Sequence, residues 1–139
     1  MKPLKRSVAL VIEGPDGVLL VRRPEDDDSL PGVWGLPAAS LREGESERDA
    51  LLRVGAAKLG VEVEPLELVG SERAERADHV IEMRDFRARI ASGEPSVPQD
   101  AGGTQYVEWR WGAPGELAPA ARAGSACARV LLRSVGSGW

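Results

Sequence analysis

Two hydrophobic runs separated by a turn sequence open the chain. The run in SVALVIEG ends at the tetrapeptide GPDG, and the run GVLLV that follows ends at Arg22 and Arg23. Proline restricts φ and glycine accepts positive φ, so this tetrapeptide is typical of a turn between two strands. We therefore predict that the two runs form a pair of strands.

Hydrophobic residues recur in four later segments that predict further strands. A short strand is expected in VWGLP, followed by a loop over residues 39–45. In residues 61–73, hydrophobic and polar side chains alternate only roughly, because Pro65 interrupts the pattern. In residues 79–90 and 105–111, hydrophobic side chains lie between charged ones. Glycine, proline and serine between the last two segments predict a loop.

Two helices are predicted from their ends. Ser46 precedes a helical segment as an N-cap, and Gly60 follows Leu59 where a C-terminal cap belongs. Gly55 lies inside this helix and lowers its stability by about 1 kcal/mol relative to alanine, so another interaction must favour it. A second helix is predicted over residues 125–135, and residues 114–124 are expected to form a turn and a short irregular stretch.

These elements predict a mixed α/β fold in one domain of residues 1–139. The net charge of −4 does not favour binding to nucleic acid or an acidic membrane. The single cysteine, Cys127, excludes an internal disulfide and is expected inside the last helix. Since no hydrophobic stretch approaches the ~20 residues that span a bilayer, we expect a cytoplasmic protein.

Three motifs resemble the Nudix hydrolase family. They are GVLLVRRPEDDDSLPGVWGLPAA, EGES followed by a helix that ends in LGV, and YVEWRWGAPGEL. The resemblance implies an α/β/α sandwich with a mixed central sheet, one helix after the loop of the family motif and a C-terminal helix. It also implies hydrolysis of a pyrophosphate linkage in a nucleoside diphosphate joined to another group.

The family motif, G-x5-E-x7-R-E-U-x-E-E-x-G-U with U aliphatic, fits the chain without a gap but with substitutions. Its matches are Glu45, Arg53, Gly60 and Val61. Its departures are Ala39 for glycine, Gly55 for the aliphatic residue, and Val54, Ala57 and Lys58 for the three helix glutamates. Glu45 is thus the one retained acid, and the resemblance implies that it pairs with Arg53.

The substituted glutamates matter because Mg²⁺ takes oxygen ligands, usually carboxylates and water. Residues 54, 57 and 58 share one helical face, so three carboxylates there would form a cation site. An ammonium about 4 Å away opposes a unit positive charge by about 4 kcal/mol at an effective dielectric near 20, and a divalent ion by about twice that. We therefore predict no metal site, no cofactor and impaired Mg²⁺-dependent hydrolysis.

An active hydrolase that binds Mg²⁺ through acids outside the motif is the alternative. Glu47 and Asp49 precede the substituted face, and Asp49 is expected to pair with Arg53. Asp26, Asp27 and Asp28 are expected in a solvated loop. Later acids that folding could bring near the cleft are Glu72, Glu75, Asp78, Glu82, Asp85, Asp100 and Glu108.

Five residues are candidates for binding a nucleotide-like small molecule: Arg22, Arg23, Trp34, Arg53 and Lys58. The arginines suit phosphate, and Trp34 suits a base because its segment borders the presumed cleft. Lys58 either meets a ligand phosphate or pairs with Glu45, and we favour the ion pair.

Several other residues have structural interpretations. Trp109 and Trp111 are expected in packing, and His79 at the start of a strand. Ala38 and Ala39 replace a Gly-Gly pair of the family, so the loop either takes a different path or no longer approaches a ligand closely. A homodimer with Trp111 and Trp139 at its interface is a further hypothesis.

Overall fold

The computed structural model describes residues 1–27, 30–99 and 105–136. Three residues named above, Asp28, Asp100 and Trp139, lie outside these ranges, and what was expected of them stays a prediction. Within the described ranges, no helix is long and apolar enough to cross a membrane.

Seven strands of the described residues form one mixed sheet. They are β1 (Leu4–Gly14), β2 (Gly17–Arg22), β3 (Trp34–Gly35), β4 (Ala38–Ser40), β5 (Glu62–Glu75), β6 (Val80–Ser92) and β7 (Glu108–Gly112). The main path runs β3-β2-β1-β6-β5, with β4 paired to β1 and β7 paired to β2. The β1–β6 pairing is parallel and the others are antiparallel, which confirms the mixed sheet.

Three helices in the described part of the chain cover the two faces of the sheet. α1 (Glu47–Leu59) packs on one face, and α2 (Ala118–Arg122) and α3 (Ala126–Ser134) pack on the other. Successive side chains of the central strand β1 point to opposite faces of the sheet, so β1 contributes to the hydrophobic core on both faces. Val8, Leu10 and Ile12 face α1, whereas Ala9 and Val11 face α3. The α/β/α sandwich is therefore confirmed, and Cys127 is buried in α3 as expected.

Two segments differ from the prediction. Ala38–Ser40 is a strand rather than part of a loop, because it pairs with Ser7–Ala9 of β1. The segment expected to be irregular contains a 3₁₀ turn, Pro114–Leu117, and α2. Its prolines, Pro114 and Pro119, lie in first turns, where a missing N–H breaks no helical hydrogen bond.

Both predicted caps of α1 are confirmed. Ser46 Oγ accepts a hydrogen bond from the N–H of Asp49 at 3.1 Å, and Gly60 adopts the left-handed conformation with φ of 66°. The glycine inside the helix has a packing reason. A Cβ at Gly55 would lie 2.9 Å from Cγ1 of Val63 on β5. Gly55 therefore lets α1 approach the sheet closely.

Asp85 on β6 is the least expected buried residue. It is 0% exposed, and neither carboxylate oxygen has a hydrogen-bond partner among the described residues. Strand alternation places it on the α3 side of the sheet, beside Met83. Burial, reinforced by the charge of Glu72, raises the pKa of Asp85 well above its usual value, although Arg133 opposes this effect.

We predict that Gly55→Ala destabilises the protein, although alanine favours a helix by about 1 kcal/mol. The added methyl group must displace Val63, and overpacking of this kind costs about 1–3 kcal/mol. Urea denaturation measures the change. Adding Val63→Ala should reduce the loss caused by Gly55→Ala, whereas a Gly55→Ala protein more stable than the parent would contradict the packing explanation.

We predict that Asp85→Asn makes the protein more stable relative to the parent as pH rises from about 4 to 8. A carboxyl group whose folded-state pKa is raised contributes its full stability below its unfolded-state pKa and loses it as pH rises toward the folded-state pKa. A folded-state pKa that lies one pH unit above the unfolded-state pKa corresponds to about 1.4 kcal/mol of stability. Urea denaturation of both proteins across this range tests this, and a pH-independent difference would contradict it.

Candidate functional site

The edge of β4 that faces away from β1 forms hydrogen bonds with side chains from other segments of the chain. The N–H of Leu10 donates to Pro37 O at 2.9 Å, and the N–H of Leu41 donates to Arg6 O at 2.8 Å, so Pro37 and Leu41 bond toward β1. Because bonding directions alternate along an antiparallel strand, the polar groups of Ala38 and Ser40 point away from β1. These groups need partners from outside the sheet.

Lys58 and Arg53 of α1 supply those partners. Lys58 Nζ donates to Ala38 O at 2.7 Å, and Arg53 Nη2 donates to Ser40 O at 2.9 Å. Five residues of a helix advance about 7.5 Å and two residues of a strand about 6.6 Å, so the two spacings match. On the same edge, the N–H of Ala38 donates to the hydroxyl of Tyr106 at 3.1 Å.

Both carboxylate oxygens of Glu45 accept hydrogen bonds in the same region. Its Oε2 accepts from Arg53 Nε at 2.9 Å, and its Oε1 accepts from Arg53 Nη2 at 2.8 Å. Its Oε1 also accepts from the N–H of Arg42 at 2.9 Å. These bonds, the one from Arg53 first, lower the pKa of Glu45 to about 2. The Glu45–Arg53 pair is confirmed, and the expected Asp49–Arg53 pair is wrong because Glu45 takes the guanidinium.

The favoured pairing of Lys58 with Glu45 is also wrong. Lys58 forms no ion pair with any described residue, and its ammonium lies 5.4 Å from the centre of the Tyr106 ring. Burial, together with the charges of Arg23 and Arg53, lowers the pKa of Lys58 to about 8. Lys58 is therefore a half-buried cation that contacts a carbonyl oxygen and an aromatic face.

Lys58 lies in the wall of a cleft of about 900 Å³. The cleft opens over β4, β1 and β6 on the α3 side of the sheet. Its basic lining residues are Lys5, Arg23, Arg42, Arg53, Lys58 and Arg76. Ile81, Met83 and Cys127 contribute apolar surface. None of the described residues that line it is an aspartate or a glutamate.

Cations without an ion pair are concentrated in this cleft. Among the described residues, Lys5, Arg42, Lys58 and Arg76 line it and form no ion pair. Arg48 forms no ion pair with a described residue either, but it does not line the cleft. The cleft is thus a region of concentrated positive charge in a chain whose net charge is −4.

The structure brings together three of the five candidate ligand residues. Arg23, Arg53 and Lys58 line the cleft, although Arg23 is paired with Asp27 at 3.1 Å. Arg22 does not line it and forms ion pairs instead. Its partners are Glu108 and Glu25.

The aromatic candidates are all in packing positions. Trp34 does not line the cleft; it packs against the core, with the guanidinium of Arg110 4.5 Å from its ring centre. Trp109 and Trp111 make an edge-to-face pair with ring centres 5.9 Å apart. The proposed role of Trp34 in stacking on a base therefore stays a prediction, and the structure places this side chain against the core. The packing interpretation of the other two tryptophans is confirmed.

Sequence reasoning missed Lys5, Arg42 and Arg76 as cleft residues. No motif marks them, since β1, the loop before α1 and the β5–β6 turn supply one each. His79 also lines the cleft and lies directly before β6, with Nδ1 2.7 Å from Asp78.

The substituted helix face does not fit a divalent cation. Val54 is 0% exposed and belongs to the core, so its position faces the sheet rather than the cleft. Ala57 has no side-chain oxygen, and the Lys58 ammonium donates a hydrogen bond to the Ala38 carbonyl. Among the residues that the structure describes, no three His, Cys, Asp or Glu side chains are grouped to hold a metal.

The acids considered as replacements are engaged elsewhere. Glu47 pairs with Arg84 at 2.7 Å, Glu82 pairs with Arg73 at 3.1 Å, and Glu108 pairs with Arg22 at 2.7 Å. The remaining described acids of this set also have a partner or lie in the core. Glu72 pairs with Arg129 and Arg133, Glu75 pairs with Lys2, Asp78 contacts His79, and Asp85 is buried beneath α3.

Ala38 and Ala39 carry no backbone strain. No described residue other than glycine has a positive φ, and both alanines are extended in β4. The chain therefore takes a path here that alanine adopts readily. Of the two expectations for this pair, the altered path is the one that the strand supports.

A model of the NUDIX domain matches residues 3–133. The chain belongs to the Nudix family. It is similar to the CTP pyrophosphohydrolase of Escherichia coli strain K12, with 33% identity over 92 residues that cover 63% of this chain and 67% of that protein. It is also 34% identical to the NAD-capped RNA hydrolase NudC of Pseudomonas aeruginosa over 97 residues, which cover 70% of this chain and 33% of NudC.

Solved structures share the Nudix fold over nearly the whole chain. The MutT protein from Methanosarcina mazei Go1 matches with a TM-score of 0.78 at 18% identity, covering 97% of this chain and 95% of that one. The ORF135 protein of E. coli matches with a TM-score of 0.71 at 25% identity, covering 99% and 96%. The first of these likenesses, at its low identity, concerns the fold alone.

We predict that Ala57→Glu with Lys58→Glu gives the chain an affinity for Mg²⁺ or Mn²⁺ that the parent lacks. The pair replaces an ammonium with two carboxylates on one helical face, and Val54 is left in place because a glutamate there would be buried. Isothermal titration calorimetry with each metal measures the change.

The matched control is Ala57→Gln with Lys58→Gln, which has the same shape without the negative charges. Metal binding by the glutamate variant but not by the glutamine variant is the expected result. Equal binding by the parent and the glutamate variant would show that the substituted face does not control metal affinity.

Proposed function

We propose that this Nudix-family chain binds a phosphate-bearing, nucleotide-like small molecule in its cleft without a divalent cation. We further propose that Mg²⁺-dependent hydrolysis of a pyrophosphate linkage is impaired. One observation carries the proposal: four cations that form no ion pair with a described residue line a cleft to which the described residues contribute no carboxylate. An anionic ligand would neutralise this charge.

The chemistry of the lining residues favours phosphate over other anions. Guanidinium groups match phosphate oxygens in pairs, and an ammonium adds a compact charge with three donors. Neither Arg42 nor Lys58 forms an ion pair with a described residue, and one donor of Lys58 is fixed on Ala38 O. Relatives named for CTP and for NAD-capped RNA support a nucleotide-like ligand.

Lys58 is the residue on which metal independence depends. In the family pattern its position carries a carboxylate that would hold a cation, and the cation would then neutralise phosphate. Here the ammonium supplies the positive charge directly. A bound phosphate would favour the protonated form of Lys58 and raise its pKa from about 8.

Recognition of the base is proposed to be weak. No tryptophan, tyrosine or phenylalanine is among the described residues that line the cleft, and Trp34 packs against the core. Stacking of a base on an aromatic side chain is worth about 1–3 kcal/mol, and His79 is the one aromatic ring in the described lining. We therefore expect nucleotides with different bases to bind with similar affinity.

We predict that pyrophosphate and ADP bind the parent protein in the presence of EDTA, and that their affinity falls as pH rises through about 8. The sign follows from Lys58, which is charged below its pKa of about 8 and neutral above it. Lys58→Gln keeps a hydrogen-bond donor but loses the charge. A charged hydrogen bond is worth about 1.5–3 kcal/mol, so affinity should fall about tenfold to a hundredfold.

Arg48→Gln is the matched control, because Arg48 is another cation without an ion pair to a described residue and lies outside the cleft. Calorimetry at about pH 7 and pH 9 measures all three proteins. A requirement for Mg²⁺ in binding, or Mg²⁺-dependent release of phosphate from ADP derivatives at a rate that Lys58→Gln does not change, would contradict the proposal.

A further inference from the structure

Cations of the cleft lie in a row along β4 and the residues that follow it. Lys58 and Arg53 donate to two carbonyl oxygens that are two residues apart on this strand. Arg42 lies two residues beyond the second carbonyl, and the pairing of this segment with β1 places Arg42 beside Lys5. Because two residues of a strand advance about 6.6 Å, Lys58 has cationic neighbours within the length of a small ligand.

Lys58 differs from the other two lysines of the chain, Lys2 and Lys5. Lys2 forms an exposed ion pair, and Lys5 is exposed. Lys58 is half-buried in the wall of the cleft, where burial and the charges of two arginines lower its pKa to about 8. At about pH 7.5, roughly a quarter of such a lysine is unprotonated, against about a thousandth of a lysine with an ordinary pKa.

The contacts of Lys58 leave its nitrogen able to react. Its ammonium donates to Ala38 O at 2.7 Å and forms no ion pair with a described residue. A neutral amine can keep one N–H on this oxygen while its lone pair adds to a carbonyl carbon. None of the described residues that line the cleft is an acid that would stabilise the protonated form. Desolvated lysines beside other cations are typical of sites that form imines with carbonyl compounds.

The product of such an addition also suits these surroundings. The amine adds to an aldehyde carbon, the aldehyde oxygen leaves as water, and a C=N bond replaces the C=O bond. The step consumes no oxidant or reductant. A protonated imine retains one N–H, which Ala38 O would accept. Its positive charge would lie near the face of Tyr106, whose ring centre is 5.4 Å from Lys58 Nζ.

We propose that Lys58 forms a reversible imine with a phosphate ester that carries an aldehyde. Arg53 and Arg42 contact the phosphate, and the aldehyde carbon bonds to Lys58 Nζ. The carbonyl oxygens that Lys58 and Arg53 contact are about 6.6 Å apart, so only a few atoms need to separate phosphate from aldehyde. The proposal rests on the proposed function, because the bound phosphate places the aldehyde at the amine, and it adds a covalent step.

Trapping with borohydride tests the imine directly. The parent protein is incubated in EDTA with pyridoxal 5′-phosphate, an aldehyde that carries a phosphate. Sodium borohydride then donates hydride to each C=N bond and leaves a stable secondary amine. Intact mass and peptide mapping count and locate the modified lysines. We expect Lys58 to be modified at least about tenfold faster than Lys2 or Lys5.

The matched probe is 5′-deoxypyridoxal, which has the same aldehyde without the phosphate. It should label Lys58 at least about tenfold more slowly, because it lacks charged hydrogen bonds to the arginines. Excess pyrophosphate should slow labelling by pyridoxal 5′-phosphate.

Variants separate the amine from the phosphate contacts. Lys58→Arg keeps a positive charge and a hydrogen-bond donor, and it should remove the fast modification. Arg42→Gln should slow the modification of Lys58, whereas Arg48→Gln, outside the cleft, should not. Thermal unfolding of each variant verifies that it is folded.

The outcomes separate the two proposals. If pyrophosphate neither binds the parent protein nor slows its labelling, the proposed function fails. If pyrophosphate binds but borohydride traps no probe on Lys58, or traps Lys5 and Lys58 at the same rate, only the covalent step is overturned. Equal labelling of Lys58 by 5′-deoxypyridoxal would also overturn it.

Discussion

The free edge of β4 depends on two cations of α1. Ala38 and Ser40 have carbonyl groups that β1 cannot reach, and a partly buried carbonyl without a partner costs about 1–3 kcal/mol. Lys58 and Arg53 reach them at 2.7 Å and 2.9 Å. The same two bonds join the helix to the sheet and place positive charge in the wall of the cleft. Structure and candidate function therefore share one set of contacts.

The charge balance of the cleft follows from which cation pairs with which acid. Arg53 is neutralised by Glu45, so the retained acid of the family motif serves the fold and leaves Lys58 uncompensated. Arg22 is similarly neutralised by Glu108, outside the cleft. Ion pairs outside the cleft take up half of the described acids of a chain with net charge −4. The cleft stays positive because these acids are engaged away from it.

Features set by neighbouring residues were predictable from the sequence. The caps of α1 at Ser46 and Gly60 depend on contacts within one helical turn, and both were predicted. β4 was missed because its pairing partner, Ser7–Ala9, lies about thirty residues earlier and only the fold brings the two together. The packing reason for Gly55 was likewise out of reach, because it depends on Val63 in the next strand.

The candidate site was predictable only in part, because its charges come from separate segments. Lys58 was identified from its place in the family motif, but its partner was wrong, because Arg53 occupies both oxygens of Glu45. Lys5 and Arg76 carry no local signal. Trp34 was placed at the cleft by its position in the sequence, yet its ring belongs to the core. The partner of Lys58 and the position of the Trp34 ring both depend on side-chain direction, which the folded structure sets.

The most direct measurement is a crystal structure grown with pyrophosphate and Mn²⁺, in which anomalous scattering locates the metal. We expect phosphate oxygens within hydrogen-bond distance of Lys58 Nζ, with the ammonium still on Ala38 O and no manganese between protein and phosphate. A manganese ion held by carboxylates of this chain inside the cleft would contradict the central claim.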